Sequence, residues 1–447
     1  MAACCLAGSR RHGVCFNNAW MRTGHFQGCN CREVIWGLTH RLQAHSEFRR
    51  VEFAVNPTHA VRLVTSREGG VLEYLSCFSG IGGLEASTSP ALLCEADPEV
   101  VRVLRLSHPG IEIHDDVCSL RPPKVEVVAG GWPCQDISIA GKQAGLSGLR
   151  SRLLLDMLRV ATEAGAHTVV AENVTNLLKM RSGEEFRASL LAFEEAGFPH
   201  VGWRILNARE FGLPQNRSRL ILIASREIDI VATLFRPLDS HDLSVHSDPQ
   251  AAGFYWTAGI HSINYSKGYV PTIKIGSSLG IASPPAVHYG QVVRQLSADE
   301  ALSLQGFDLQ QSLFPSATAA YRAAGNAVAR PIGRWVLDGL DLAGSVPEPT
   351  TAPSQGELWG GDTGRVGSGY TRVGLRSDGR DWEVLVESVP LATNLDQFLD
   401  LGSESRLSPR AAAGLLNRLN RSGHACPENL RDALEVLAGG VVGAEGR

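Results

Sequence analysis

Val71-Leu72-Glu73-Tyr74-Leu75-Ser76-Cys77-Phe78 reads as an apolar strand running into Ser79-Gly80-Ile81-Gly82-Gly83-Leu84, a glycine-rich turn. Between a strand and a helix, such a turn lets backbone N–H groups face a ligand at the carboxyl end of a parallel sheet. A single Gly-x-Gly is equally the mark of an ordinary tight turn. The residues that follow separate the two readings. A second strand, Ala91–Cys94, ends in Glu95-Ala96-Asp97, and a third, Ile111–His114, ends in Asp115-Asp116-Val117. An acid at the first of these strand ends is placed for ribose hydroxyls and one at the second suits an adenine amino group, although either acid alone would also serve as a helix N-cap. Successive acids behind a glycine turn favour an adenosine-bearing cofactor on an α/β sheet of Rossmann type.

The fourth strand, Val125–Ala129, delivers Gly130-Gly131-Trp132-Pro133-Cys134-Gln135-Asp136-Ile137-Ser138. Proline fixes φ and the glycines admit close backbone approach, so the turn can hold a thiol in place. Read alone, it suits a buried, inert cysteine just as well. Gly141–Gly148 is a polar, glycine-rich run, either a moving lid or a surface loop, and Arg152–Ala164 has helical spacing. A fifth strand, His167–Ala171, ends in Glu172-Asn173-Val174, which sets a carboxyl on the sheet edge that carries Cys134. Gln215-Asn216-Arg217-Ser218-Arg219 leads into the strand Leu220–Ala224. Alternate residues of an extended chain share a face, so Gln215, Arg217 and Arg219 are expected to point together.

This ordered set resembles the DNA cytosine-5 methyltransferase family, in its bacterial and bacteriophage branch. The resemblance rests on Phe78-x-Gly-x-Gly, Pro133-Cys134-Gln135, Glu172-Asn173-Val174, Gln215-x-Arg-x-Arg and Gly325-Asn326-x-Val328, in the family's order over about residues 71–340. It implies methyl transfer from S-adenosylmethionine to C5 of a cytosine flipped out of duplex DNA, through a covalent adduct between Cys134 and ring C6. Glu172 is matched to ring N3 and Arg219 to O2, with Arg217 in support. Phe78, Ser79, Gly80 and Gly82 match the cofactor turn, Glu95 the ribose contact, Asp116 with Val117 the adenine contact, and Pro133, Asn326 and Val328 further cofactor-side positions. Gln135, Ser138, Gln215, Lys267 and Lys274 are candidate DNA contacts. No metal is expected. Two departures from the family stand out: Ala96 where some relatives place a larger side chain, and Arg152 where a small residue is common.

Length and composition frame the rest. At 447 residues the chain has room for about three domains. No apolar run can span a bilayer and no signal-peptide core opens the chain, so a cytoplasmic protein without membrane contact is expected, in a prokaryotic cell or a phage-infected host. The ten cysteines show no disulfide framework and read as reduced thiols. A net charge of -4 does not advertise nucleic-acid binding, but a basic cleft can sit on an acidic protein.

Residues 1–70 hold nine Arg against four Glu with no Lys or Asp. They are read as an extension, disordered or upstream of a true start at Val71 or Leu72, because Ser66–Gly70 is encodable by purine-rich codons. A helix is expected near Leu42–Val51. Cys29, Cys31, His40 and His45 lack the usual zinc spacing. Residues 71–225 form the expected catalytic domain, 226–293 a small irregular target-recognition region, and 294–343 a return to the catalytic sheet. Residues 344–447 are a linker and small appendage. Within these, Ser297–Gln305 reads as a helix with a capping box, and Tyr321–Leu340 as one glycine-interrupted helix. A strand is expected at Trp382–Val386, with helices at Pro409–Leu419 and Pro427–Leu437. A restriction endonuclease acting on the same site without binding this chain, and a monomeric state, complete the expectation. The alternatives are a tRNA cytosine-5 methyltransferase and a DNA-binding protein without turnover.

Overall fold

The computed structural model describes residues 48–55, 61–67, 72–85, 89–133, 149–238, 249–256, 263–274, 285–341, 346–347, 370–387, 394–423 and 425–442. Near the start, β1 (Phe48–Val55) and β2 (Val61–Arg67) pair antiparallel. The helix expected near Leu42–Val51 is therefore not formed at Phe48–Val51. Val51, Phe53 and Val55 alternate with period two, which is a strand pattern. Cys29, Cys31, His40 and His45 lie outside the described residues.

The catalytic sheet begins with β3 (Tyr74–Cys77), β4 (Leu92–Cys94), β5 (Ile113–His114), β6 (Val127–Gly131) and β7 (Thr168–Val174). These five run parallel, with β6 and β4 flanking β3. β8 (His200–Asn207) follows, then the short β9 (Gln215–Asn216) and β10 (Ser218–Ser225), which lies antiparallel between β7 and β8. Both faces are covered, so successive residues enter different cores. Leu220 and Leu222 enter one and Ile221 and Ile223 the other.

Helices α1 (Pro98–Ser107), α2 (Leu149–Ala164) and α3 (Glu184–Glu195) connect strands of this sheet. α1 starts at an Asp97 cap that accepts from Glu99 N, with Pro98 in its first turn. α4 (Ala298–Ser303) carries the expected capping box, Ser297 with Glu300. Tyr321–Leu340 is not one helix but two, α5 (Ala317–Asn326) and α6 (Arg330–Leu340), broken over Ala327–Ala329. Pro331 has no N–H to continue the helical ladder back to Ala327.

The region after Ser225 is more regular than expected. β11 (Ala252–Phe254), β12 (Ser266–Lys267), β14 (Ala286–Tyr289) and β15 (Val292–Gln295) form a four-stranded antiparallel sheet in the order β12-β11-β14-β15. Between β12 and β14 lies β13 (Val270–Pro271), which pairs parallel with β9 and so ties this small sheet to the catalytic strands.

The C-terminal part joins both sheets more closely than a separate appendage would. β16 (Tyr370–Ser377) and β17 (Arg380–Glu387) form a hairpin that adds to β8, completing the nine-stranded order β17-β16-β8-β10-β7-β6-β3-β4-β5. Asp378 and Gly379 both have positive φ, as a two-residue hairpin turn requires. Arg376 pairs with Asp381 and Glu194, and Arg372 with Glu383, so these two arginines serve the sheet. Helices α7 (Pro409–Ser422) and α8 (Glu428–Val442) pack Leu415, Leu419, Leu430 and Leu434 against Phe254, Ala286 and Val293 of the small sheet. No described helix is long and apolar enough to cross a membrane.

Candidate functional site: a cofactor cradle beside a buried carboxyl–guanidinium pair

The glycine turn leaves β3 through left-handed backbone at Phe78, Gly80 and Gly82. Ser79 N donates to Cys94 O at 3.0 Å, which locks the turn onto β4. Glu95 is fixed by two backbone donors: Gly80 N reaches Oε2 at 2.8 Å and Asp97 N reaches Oε1 at 2.9 Å. Each oxygen keeps lone-pair capacity for a further donor such as a ribose hydroxyl. No atom lies within 4 Å of where a Cβ on Gly80 would sit, whereas one on Gly83 would meet Val328 O at 2.3 Å. The turn therefore has an open side at Gly80 and a backbone-to-backbone contact at Gly83 that brings Val328 alongside. Asn326 is exposed at the end of α5.

Asp116 stands exposed after β5, with its carboxylate accepting from Cys118 N at 3.0 Å. That bond holds it below the usual carboxylate range. Val117 beside it is buried. An open glycine turn, a pre-oriented carboxylate at one strand end and a second, ionised one at the next fit an adenosine-bearing cofactor. Beneath the turn, Glu85 is buried against the Ser76 hydroxyl, and burial raises its pKa to about 7.

The edge that carries Glu172 is built by β6, β7 and β10. Gly131 is in register with Glu172 across the parallel β6–β7 pair, and Ile221 with Glu172 across β7–β10. A Cβ on Gly131 would lie 2.8 Å from Glu172 Oε2, so the glycine leaves room for that carboxyl. Asn173 Nδ2 donates to Trp132 O at 3.2 Å and steadies the chain as it reaches Pro133. Cys134 is the next residue; it, Gln135 and Ser138 lie outside the described residues.

Arg219 Nε meets Glu172 Oε1 at 2.9 Å, with both side chains nearly buried. Burial pushes the Glu172 carboxyl above its ordinary range, against the pull of Arg219 and Arg217. The group is thus poised to hold a proton nearer neutrality than a surface glutamate does.

Gln215, Arg217 and Arg219 do not share one task, despite their alternation. Gln215 is fully buried: its amide donates to Leu304 O at 3.0 Å and accepts from Ile273 N at 3.1 Å. The expected DNA contact is thus an internal strut, because the strand carrying it is covered by the Val270–Ile273 segment. Arg217 is equally buried and donates to Ile273 O, Gly325 O and Ala327 O at 3.2, 2.9 and 2.6 Å. It joins the segment around Ile273 to the turn that carries Asn326 and Val328. Lys267 is exposed on β12. Lys274 stacks over the Tyr255 ring at 4.2 Å, and Tyr255 Oη donates to Thr272 O at 2.7 Å. A stack of Arg209 on Tyr269 at 3.8 Å was not legible in the sequence, since sixty residues separate the partners. Arg152, itself exposed, lies 3.8 Å from the largely buried Asp156 one turn along α2, and Ala96 is exposed.

Residues 72–250 match the family described as C-5 cytosine-specific DNA methylase. The Type II methyltransferase M2.BsuMI of Bacillus subtilis is 32% identical over 375 residues, covering 78% of this chain and 94% of that relative. The chain belongs to the C-5 cytosine-specific DNA methylase family. It is a DNA cytosine-5 methyltransferase that uses S-adenosylmethionine. The Type II methyltransferase M.NlaX of Neisseria lactamica is 26% identical over 312 residues, 61% of this chain and 97% of that one. Among solved structures, the Dnmt2 methyltransferase of S. pombe has a TM-score of 0.42 at 17% identity, covering 60% of this chain and 98% of that one. The family match ends at residue 250, whereas Arg217 also binds carbonyls far beyond it, at Ile273, Gly325 and Ala327. The strand that carries Arg217 therefore depends on chain outside the matched region.

Proposed function

We propose that Cys134 is the nucleophile of this methyltransferase and that Glu172, Arg219 and Arg217 prepare the ring it attacks. C5 of cytosine is a poor nucleophile. A thiolate that bonds to C6 displaces the C5–C6 π pair toward C4, and the C4–N3 π pair moves to N3, which takes the Glu172 proton. C5 is then the carbon of an enamine. Arg219 balances charge at O2 and favours the thiolate. Once C5 carries its methyl group, water or hydroxide takes the C5 proton, the C5–H pair restores the C5–C6 double bond, the S–C6 pair returns to sulfur, and N3 gives its proton back to Glu172. Arg217 acts by holding the strand that presents Arg219. The observation that carries this reading is the buried 2.9 Å Glu172–Arg219 pair, on strands in register with the β6 end that leads to Cys134.

S-adenosylmethionine supplies the methyl group on a positively charged sulfur and leaves as S-adenosylhomocysteine. Phe78, Ser79, Gly80 and Gly82 cradle it, Glu95 takes the ribose, and Asp116 with Val117 takes the adenine. Pro133, Asn326 and Val328 complete the wall. No metal takes part. The target base must leave the duplex stack for C6 to be reached. Residues 226–293 read the DNA, with Lys267 and Lys274 on the backbone and Gln135 and Ser138 near the extruded base. By likeness to Type II relatives, the enzyme protects DNA in a restriction-modification system or for a phage. A separate endonuclease cuts the same site, and the methyltransferase works as a cytoplasmic monomer.

The test is a duplex library methylated with labelled cofactor and mapped by bisulfite sequencing, beside Cys134→Ala. Duplex containing 5-fluorocytosine, whose C5 substituent cannot leave as a proton, should trap a denaturant-stable complex with the wild type. Turnover or trapping that persists in Cys134→Ala would overturn the covalent assignment.

A further inference from the structure

We infer that Arg159, on α2, is a positioning residue for the cofactor: it holds the 117–120 loop that presents Asp116. The inference rests on the reading of Asp116 and Val117 as the adenine edge of the site. Arg159 Nη2 donates to Val117 O at 2.7 Å and Cys118 O at 3.2 Å, and Nη1 donates to Leu120 O at 3.2 Å. One planar guanidinium thus serves three of the four carbonyls in that loop, a geometry an ammonium cannot reproduce.

The arginine is itself held from its own helix. Glu163 Oε2 accepts from Nη1 at 2.9 Å, and Asp156 Oδ1 lies 3.8 Å from Nε. Asp156, Arg159 and Glu163 fall on one face of α2 by their three- and four-residue spacing. Asp156 also accepts from Cys118 Sγ at 3.3 Å, a second link between helix and loop. Inside the loop, Cys118 N donates to the Asp116 carboxylate, while Val117 and Leu120 are buried in the core shared with α2. The chain of contacts therefore runs from the helix, through Arg159, to the carboxylate assigned to adenine.

This arrangement gives Arg159 a signature that a general loss of stability does not. The Arg159→Ala protein should bind S-adenosylhomocysteine weaker on the order of tenfold by calorimetry, the scale of lost hydrogen bonds to a charged group. Its rate at saturating cofactor and its DNA affinity should stay within about twofold of wild type, because the 117–120 loop bears on binding alone. Arg159→Lys, which can reach one carbonyl, should lie between. Cofactor affinity within twofold of wild type in Arg159→Ala would overturn the inference. A fall in the saturated rate with cofactor affinity unchanged would overturn it too. Asp116→Ala, measured alongside, tests the underlying reading separately. If it binds normally while Arg159→Ala does not, Asp116 is not the adenine contact, and the role of Arg159 in holding the loop stands.

Discussion

Glu172 shows how one residue is set by its surroundings. Its carboxyl is raised by burial while Arg219 pulls it back. In the proposed role the protonated form serves N3, so the wild-type rate should fall as pH rises through the Glu172 pKa. Glu172→Gln cannot lose a proton, so its rate should drop about 100-fold and lose that limb of the profile, seen in kcat against pH. Glu85 has a different consequence. Its pKa rises from 4.5 unfolded to about 7 folded, so between those values the folded state binds more protons. Stability therefore falls as pH rises through that window, by at most about 3 kcal/mol, and levels off above it. Glu85→Gln should flatten this dependence, measured by denaturant melts at pH 5 and pH 8. Neither shift is written in the residue type. Each comes from what the fold packs around a carboxyl.

At the scale of elements, close approach between backbones sets the wall proposed for the cofactor. Gly83 faces Val328 O, and a Cβ on Gly333 would lie 2.2 Å from Gly83 O, so the glycine turn and the start of α6 touch through two residues without side chains. Gly83→Ala should cost about 1–3 kcal/mol by overpacking and weaken cofactor binding, read by thermal melting and calorimetry. A melting temperature and affinity equal to wild type would show that the contact has slack. Element legibility followed the same physics. The parallel strands and their terminal acids were readable because apolar runs and turn residues are local signals. The break between α5 and α6 is marked by Pro331 alone, because the helical pattern on either side is continuous. Of the β16–β17 hairpin, the alternation at Trp382–Val386 marks the second strand. Asp378-Gly379 is the short-range signal for its turn, set among other glycines.

For the whole molecule, the C-terminal hundred residues complete both sheets. β16 covers the edge of β8, and α7 with α8 covers the apolar face of the small sheet. Ending the chain after Asp341 should expose a strand edge and that face together, so the truncated protein should aggregate or lose its cooperative melt. A soluble, monomeric truncation with unchanged DNA affinity would show that these contacts are dispensable.

The sequence by itself determined the five parallel strands with their terminal acids, the glycine turn, the helix after Arg152 and the strand after Arg219, together with residue types that suit methyl transfer to a pyrimidine. Those features depend on local backbone preference and on chemistry that particular side chains alone can provide. Tertiary structure alone decided that Gln215 and Arg217 face inward while Arg219 reaches Glu172. It also decided that Arg159 grips the Asp116 loop from forty residues away, and that the end of the chain extends the catalytic sheet. The reason is that alternation along a strand fixes which residues share a side, and only the elements packed on that side decide what those residues meet.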